Sequence, residues 1–296
     1  MKKRHFNQPT LGEHLFFLGP ATVVFLVAVI IPFVFSVGYS LTDWNGVTAD
    51  VSFVGLKNFV DIFTGACKFL DSFKFTFIIA VFNVILVNVC GIAMAALLTA
   101  KIPFQSLFRV AFYLPNVIGG LILGFVWQFI FINGVPAIGN LLNIKALMTP
   151  WLGTELTAYA AIVIVSVWQG MGYVMVIIIA ALVGIPSEVV EAAHIDGAGP
   201  IQTFFRIKLP LCTPYITLCL FWTISQAFKM FDLNYSLTKG GPYGSTTSLA
   251  LNIYNDAFSN NKYGLATAES LVFFAIILAV TSVQLYFSRK KEEEVL

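Results

Sequence analysis

EAAHIDGAGPIQTFFRIKLP, Glu191 to Pro210, is the stretch on which the reading of this chain turns. It is a polar interval set between two long apolar runs, 157–183 and 212–236. Its residue order predicts two short helices. Ser187 follows Pro186 and can cap the first, in which Val189, Ala192 and Ala193 recur at i, i+3 and i+4. Gly197 then offers a chain reversal, because glycine reaches φ > 0 without a Cβ clash. The second helix puts Ile201, Phe204, Phe205 and Lys208 on one face, and Pro210 and Pro214 open the next apolar run.

The sequence around this interval is that of a membrane protein. Of 296 residues, 58% are hydrophobic and 11% charged, against about 25% charged in a soluble domain. Mean hydropathy is +0.86. A bilayer core needs about 20 apolar residues of helix. Residues 15–40, 73–98, 107–131, 157–183, 212–236 and 264–287 each reach that length. The predicted fold is therefore all-α, with six transmembrane helices and the Glu191–Pro210 loop between the fourth and fifth. The first run is too long for a signal-peptide core and lacks a small-x-small exit. The expected organisation is a segment 1–14, a membrane domain 15–287 and a charged tail 288–296.

Lys and Arg near the membrane ends set the orientation. With the N-terminus inside, one face holds Lys2, Lys3, Arg4, Lys101, Arg109, Arg206, Lys208, Arg289, Lys290 and Lys291. The other holds Lys57, Lys68, Lys74, Lys145, Lys229, Lys239 and Lys262 over longer segments. Both termini and the Glu191–Pro210 loop are thus expected to be cytoplasmic. Lys74 and Lys229 lie close to helix ends, where snorkelling accounts for them. Pro115 is expected near the start of the third helix, and 132–156 is expected to be a short outer loop with Gly134, Pro136 and Gly139.

A net charge of +2 gives no reason to expect nucleic-acid binding. Cys67, Cys90, Cys212 and Cys219 form no CxxC pair, and the three His are scattered, so neither a disulfide framework nor a metal site is expected. No GxxxxGK[ST] phosphate loop occurs, so any ATP hydrolysis belongs to another chain. Asp232 and Glu269 fall toward helix ends. Nearer the middle lie neutral amides and hydroxyls (Asn83, Asn88, Gln128, Gln169, Thr223, Gln226) with Trp127, Trp168, Tyr173 and Trp222. Amides donate and accept, and flat rings cover the apolar faces of sugars. The set suits a neutral polyhydroxylated solute, whereas ion paths hold charges in mid-membrane. The same amides can equally join helices to one another.

Glu191, Ala192, Ala193, Asp196, Gly197, Ile207, Leu209 and Pro210 resemble the EAA signature of binding-protein-dependent ABC importer permeases, in residue type and in the spacing from Gly197 to Ile207. Val54–Phe59 and Thr238-Lys239-Gly240-Gly241-Pro242 resemble elements of the carbohydrate branch, the maltose and glycerol-phosphate first-subunit kind, with a MetI-like fold. The resemblance covers nearly the whole chain. It implies that the loop docks into an ATPase subunit and passes ATP-driven motion to the helices. It implies a second homologous permease, two ABC ATPase subunits holding ATP and Mg²⁺, an extracytoplasmic solute-binding protein and a bacterial or archaeal plasma membrane. It implies no cofactor, metal or catalytic residue in this chain. By position it makes Gln169, Gly170, Tyr173, Thr223, Gln226, Ala227 and Met230 substrate-pathway residues. The maltose pattern has amides where Ala227 and Met230 stand, so the solute need not be maltose. A glycerol-phosphate or polyol importer is the alternative within the class. A secondary carrier or channel, or a membrane scaffold, is the alternative outside it.

Overall fold

The computed structural model describes residues 11–100 and 102–293, and among them the regular structure is helical. The described residues divide into two compact units. One comprises the chain up to Thr64 with Ile253–Val272; the other comprises Gly65–Asn252 with Phe273 onward. The expected segment 1–14 lies largely outside the described residues, as does the end of the tail.

In the first unit, α1 (Leu11–Phe25), a π turn (Leu26–Ile30) and α2 (Ile31–Tyr39) form one apolar helix from Phe16 to Tyr39 in which nothing is buried. A short α3 (Lys57–Thr64) follows. Asn58, buried, donates from Nδ2 to the carbonyls of Ser40 and Thr42, both at 2.8 Å. That bond pair is the work of the asparagine within Val54–Phe59.

The second unit is built on two long uninterrupted helices, α4 (Phe69–Thr99) and α9 (Glu155–Val183). Thr154 starts α9 by accepting the Thr157 N–H on its hydroxyl, and Pro186, just beyond Gly184, stops it. Against this pair pack α5 (Gln105–Val117), α6 (Gly120–Phe129), α13 (Thr213–Phe228) and α14 (Asp232–Leu237). The core is two apolar clusters. Val87, Leu98, Met175, Ile178, Leu182 and Cys219 form one; Phe75, Ile79, Leu123, Ile162, Val165 and Leu237 form the other.

Two of the six expected spans are interrupted. The helix expected over 107–131 ends at Val117, two residues after Pro115, and restarts at Gly120 through extended backbone at Ile118 and Gly119. It then runs on to Leu142, through a π turn at Ile130–Gly134 and α7 (Val135–Leu142). The expected loop 132–156 is therefore helical over much of its length, including a short α8 (Lys145–Met148). Pro136 does not end the helix because it sits at the opening of α7, directly after the wide turn. Pro32 and Pro210 stand in the same relation to π turns at Leu26–Ile30 and Phe204–Lys208. A wider turn spares the bond that the missing N–H cannot make and relieves the ring clash with the preceding turn.

The fifth span, expected over 212–236, breaks at Lys229–Phe231 between α13 and α14. No Pro or Gly marks this break. It is held by packing: a Cβ on Gly120 would lie 2.9 Å from Asp232 Cβ, and one on Gly124 would meet the Ser236 side chain. The remaining helices are α10 (Ser187–Ile195), α11 (Pro200–Thr203), α12 (Leu209–Leu211), α15 (Leu249–Tyr254) and α16 (Tyr263–Glu293). The described part of the expected tail thus continues α16.

Candidate functional site

The two helices expected around Gly197 are present, with corrections. Ser187 is the first helical residue of α10 rather than its cap; Pro186 occupies the cap position without a side-chain bond. Of the expected apolar face, Ala193 alone is buried, and Glu191, Ala192 and Asp196 are exposed. Gly197 has φ +81°. Its N–H reaches the His194 carbonyl at 3.1 Å, and the Ala198 N–H reaches that of Ala193 at 2.9 Å. These are the two bonds of a Schellman helix end, which needs a left-handed residue at this position.

Beyond the turn, Thr203 donates its N–H to the Gly199 carbonyl at 2.9 Å and is buried. The π turn at Phe204–Lys208 then splits the face expected for the second helix. Phe204 packs on the first core cluster, while Ile201 and Phe205 remain 77% and 62% exposed. Together with Gly199, Pro200, Gln202 and Arg206 they line an open depression. Ile207, Leu209 and Pro210 are half-buried and carry the chain into α13, bent by 71°. The loop is therefore an ordered body with apolar side chains turned outward.

A cavity of about 480 Å³ lies in the second unit. On α4 its lining residues are Asn83 and Val87; on α9 they run from Ser166 to Tyr173. On both helices this places it between the two apolar clusters. Tyr173 and Trp222 stack with centroids 4.1 Å apart and planes 23° from parallel, forming one aromatic slab on the wall. Gln169 donates from Nε2 to the Ile118 carbonyl at 3.2 Å, at the break between α5 and α6. Asn116 in turn approaches the Gln169 carbonyl at 3.4 Å. Ser166 donates to Asn83 Oδ1 at 2.6 Å.

All seven residues expected on the pathway line this cavity, in different ways. Gln226 is exposed there, and Tyr173 presents its ring. Gly170 is buried, and a Cβ on it would meet Val87 at 3.3 Å. Thr223 is buried and accepts from Asn88 Nδ2 at 2.9 Å, so its hydroxyl also joins α13 to α4. Ala227 and Met230 are buried, Met230 within the second cluster. Thr223, Gln226 and Ala227 share one face of α13 and Met230 falls in the break beyond it; the family resemblance, counted back from Gly240-Gly241-Pro242, is what singled them out.

Other polar and aromatic residues singled out above serve elsewhere. Gln128 donates to the Leu237 carbonyl at 3.0 Å, and Trp127 and Trp168 pack edge to face beside the second cluster. Sequence reasoning missed Tyr113, Asn116 and Ser166; it put Lys229 and Asp232 near a helix end, with Lys229 the one cation that could face the pathway, and both line the cavity at that end. The i, i+3 and i+7 spacing of Ser166 with Gln169 and Tyr173 was a usable signal for one of these. Nothing in the sequence around Lys229 foretold the helix break at which it lines the cavity.

Helices of membrane-crossing length, interrupted beside a cavity of amides and rings, define a multi-pass membrane protein that can hold a polar solute partway along its spans. Residues 88–293 match the family described as binding-protein-dependent transport system inner membrane component, and the chain belongs to that family. It is 43% identical to the probable starch degradation products transport system permease protein AmyD of Thermoanaerobacterium thermosulfurigenes, over 94% of each chain. It is 39% identical to the multiple sugar-binding transport system permease protein MsmF of Streptococcus mutans, over 86% of this chain and 87% of that one. It is 30% identical to the trehalose/maltose transport system permease protein MalF of Thermococcus litoralis, over 98% of each. The fold is that of a chain in the crystal structure of a bacterial ABC transporter involved in the import of the acidic polysaccharide alginate. That match has TM-score 0.80 and 20% identity over 92% and 93% of the two chains.

Proposed function

We propose that this chain is one of two homologous membrane subunits of an ABC importer for a sugar or oligosaccharide, and that its cavity is part of the translocation pathway. The observation that carries the reading is the Tyr173–Trp222 slab facing an amide-lined cavity. A ring face suits the C–H face of a pyranose, and Gln169, Gln226 and Asn116 offer donors and acceptors to hydroxyls. The transport names of AmyD, MsmF and MalF support the same solute class. An extracytoplasmic binding protein delivers the solute, in keeping with a second solved relative in complex with an alginate-bound periplasmic protein.

ATP and Mg²⁺ are held by two separate ATPase subunits, and this chain is not itself an enzyme and holds no cofactor. Glu191, Ala192, Ala193, Asp196, Gly197, Ile207, Leu209 and Pro210 shape the coupling loop on the cytoplasmic side. Burying side chains such as Ile201 and Phe205 against an ATPase would contribute about 1.5–3 kcal/mol each. Both termini are cytoplasmic, the protein sits in the bacterial or archaeal plasma membrane, and residues 15–287 are the importer domain. One Lys and one Asp leave the cavity formally neutral, which favours an uncharged solute over glycerol phosphate.

The test is uptake into vesicles reconstituted with both permeases, the ATPase and the binding protein. Uptake that needs internal or external ATP at the ATPase face, and the loaded binding protein, is expected. Uptake driven by a proton or sodium gradient without ATP would make the chain a secondary carrier instead.

A further inference from the structure

Lys229 and Asp232 flank the break between α13 and α14, and both line the cavity. Both are exposed. Lys74 and Asp71 pair at 3.8 Å, and no such pair joins Lys229 to Asp232. Two opposite charges, three residues apart and not joined as an ion pair, thus line the cavity that also holds the Tyr173–Trp222 slab. Both stand just beyond the apolar helix that ends at Phe228, where the cavity opens between α13 and α14.

The two charges are not equivalent. Asp232 has a short side chain, and its Cβ lies so near the Gly120 backbone that a methyl group there would come within 2.9 Å. Ser236 donates to the Asp232 carbonyl at 2.7 Å and fixes the backbone from the other side. The backbone and Cβ that carry the carboxylate are therefore held in place, and its stem is only one carbon long. The Lys229 ammonium ends a four-carbon stem that can fold away from a bound solute.

We propose that Asp232 is the specificity-determining residue of the cavity. Its two oxygens accept hydrogen bonds from adjacent hydroxyls of an uncharged sugar and repel a sugar carrying a carboxylate, while Lys229 offsets the charge of the empty cavity. The proposal rests on the carbohydrate reading above and adds to it which sugars pass. An ionised acceptor makes hydrogen bonds about twice as strong as a neutral one. Beside an aromatic wall, repulsion between like charges is screened less than in open water.

The experiment measures equilibrium binding to the assembled transporter in lipid nanodiscs, without the binding protein, so that its own selectivity does not enter. The probes are maltotriose and the same trisaccharide with a terminal primary hydroxyl oxidised to a carboxylate. Wild type should prefer maltotriose. Asp232→Asn, which keeps shape and removes charge, should narrow that preference by about tenfold or more, the order expected for a hydrogen bond to a charged group. Lys229→Gln should widen it. An unchanged ratio in Asp232→Asn, or equal loss of both probes, overturns the proposal and leaves Asp232 a packing residue against Gly120. The same narrowing from Lys229→Gln also overturns it. If wild type binds neither probe, the carbohydrate cavity itself fails, and the proposal with it.

Discussion

Gly197→Val tests whether the turn between α10 and α11 must be rigid. The residue sits at φ +81°, and a Cβ there would meet nothing within 4 Å. The cost of a side chain is therefore conformational and not a collision. A left-handed L-residue costs about 1–2 kcal/mol, and a β-branched one belongs toward the upper part of the 1–3 kcal/mol range for strained backbone. At 1.4 kcal/mol per factor of ten, 1–3 kcal/mol lowers the population of the native turn about 5- to 150-fold against any relaxed alternative. Relaxing φ breaks the bonds from Gly197 to His194 and from Ala198 to Ala193, and it re-aims the segment from Pro200 onward. Asn tolerates this region, Ala less and Val least. Transport should thus rank Gly, Asn, Ala, Val. The assay is sugar uptake with ATPase activity and retention of the ATPase subunit in pull-down. Gly197→Val should abolish transport and loosen the ATPase while the helices still insert. Full transport by Gly197→Val with normal ATPase retention, or equal damage from Asn and Val, would refute the reasoning.

Three further outcomes follow from the cavity, the helix contacts and the charge asymmetry. Tyr173→Ala and Gln226→Ala should each weaken uptake in an intact complex, a lost amide contact being worth roughly 1–3 kcal/mol; unchanged kinetics in both would return these side chains to packing. Gly172→Ala should reduce the yield and thermal stability of the complex by the roughly 1–3 kcal/mol of overpacking, because its Cβ would fall 2.9 Å from Tyr113 Cα and against the Phe112 carbonyl; wild-type melting would show that α5 gives way freely. A single cysteine at Gly199 should label only from the cytoplasmic side and one at Gly241 only from outside, following the Lys and Arg asymmetry; labelling of both from one side would overturn that topology.

The uninterrupted helices were legible in sequence because length and hydropathy alone specify them. Glu155–Val183 and Phe69–Thr99 contain no Pro, and the expected runs fall inside them. Gly197 was legible because the αL position of a helix end has a residue preference of its own. The interrupted spans were not. Pro115 and Pro136 look alike as sequence, yet the chain leaves the helix soon after one and carries on past the other, after a π turn that no local motif announced. The Lys229–Phe231 break is set by α14 lying against Gly120 and Gly124, a contact between residues more than a hundred positions apart. Single-sequence periodicity carries no information at that range. The functional reading inherited the same limit: Lys229 and Asp232 read as helix-end charges, and the cavity that both line at the break was not visible in an unbroken helix.

The pattern of breaks also assigns different mechanical roles to the cavity walls. α4 and α9 pass the cavity without interruption and carry an apolar cluster on either side of it. They can seal the pathway at both ends but cannot bend beside the solute. α13 begins where the Pro200–Leu211 segment turns by 71°, and its 16 residues continue to Phe228. At 1.5 Å per residue that is about 24 Å of straight helix. From the Gly197 turn to Trp222, Thr223 and Gln226 the chain crosses the 71° bend at Cys212 and then runs along one helix. It reaches Asp232 only across Lys229–Phe231, and Asp232 is anchored instead to Gly120 on α6. On the proposed coupling role of the loop, one side of the cavity would follow it while the other is tied to α6. Relative displacement between them would change the distance from the aromatic slab to the carboxylate, and so link the position of the loop to the shape of the cavity.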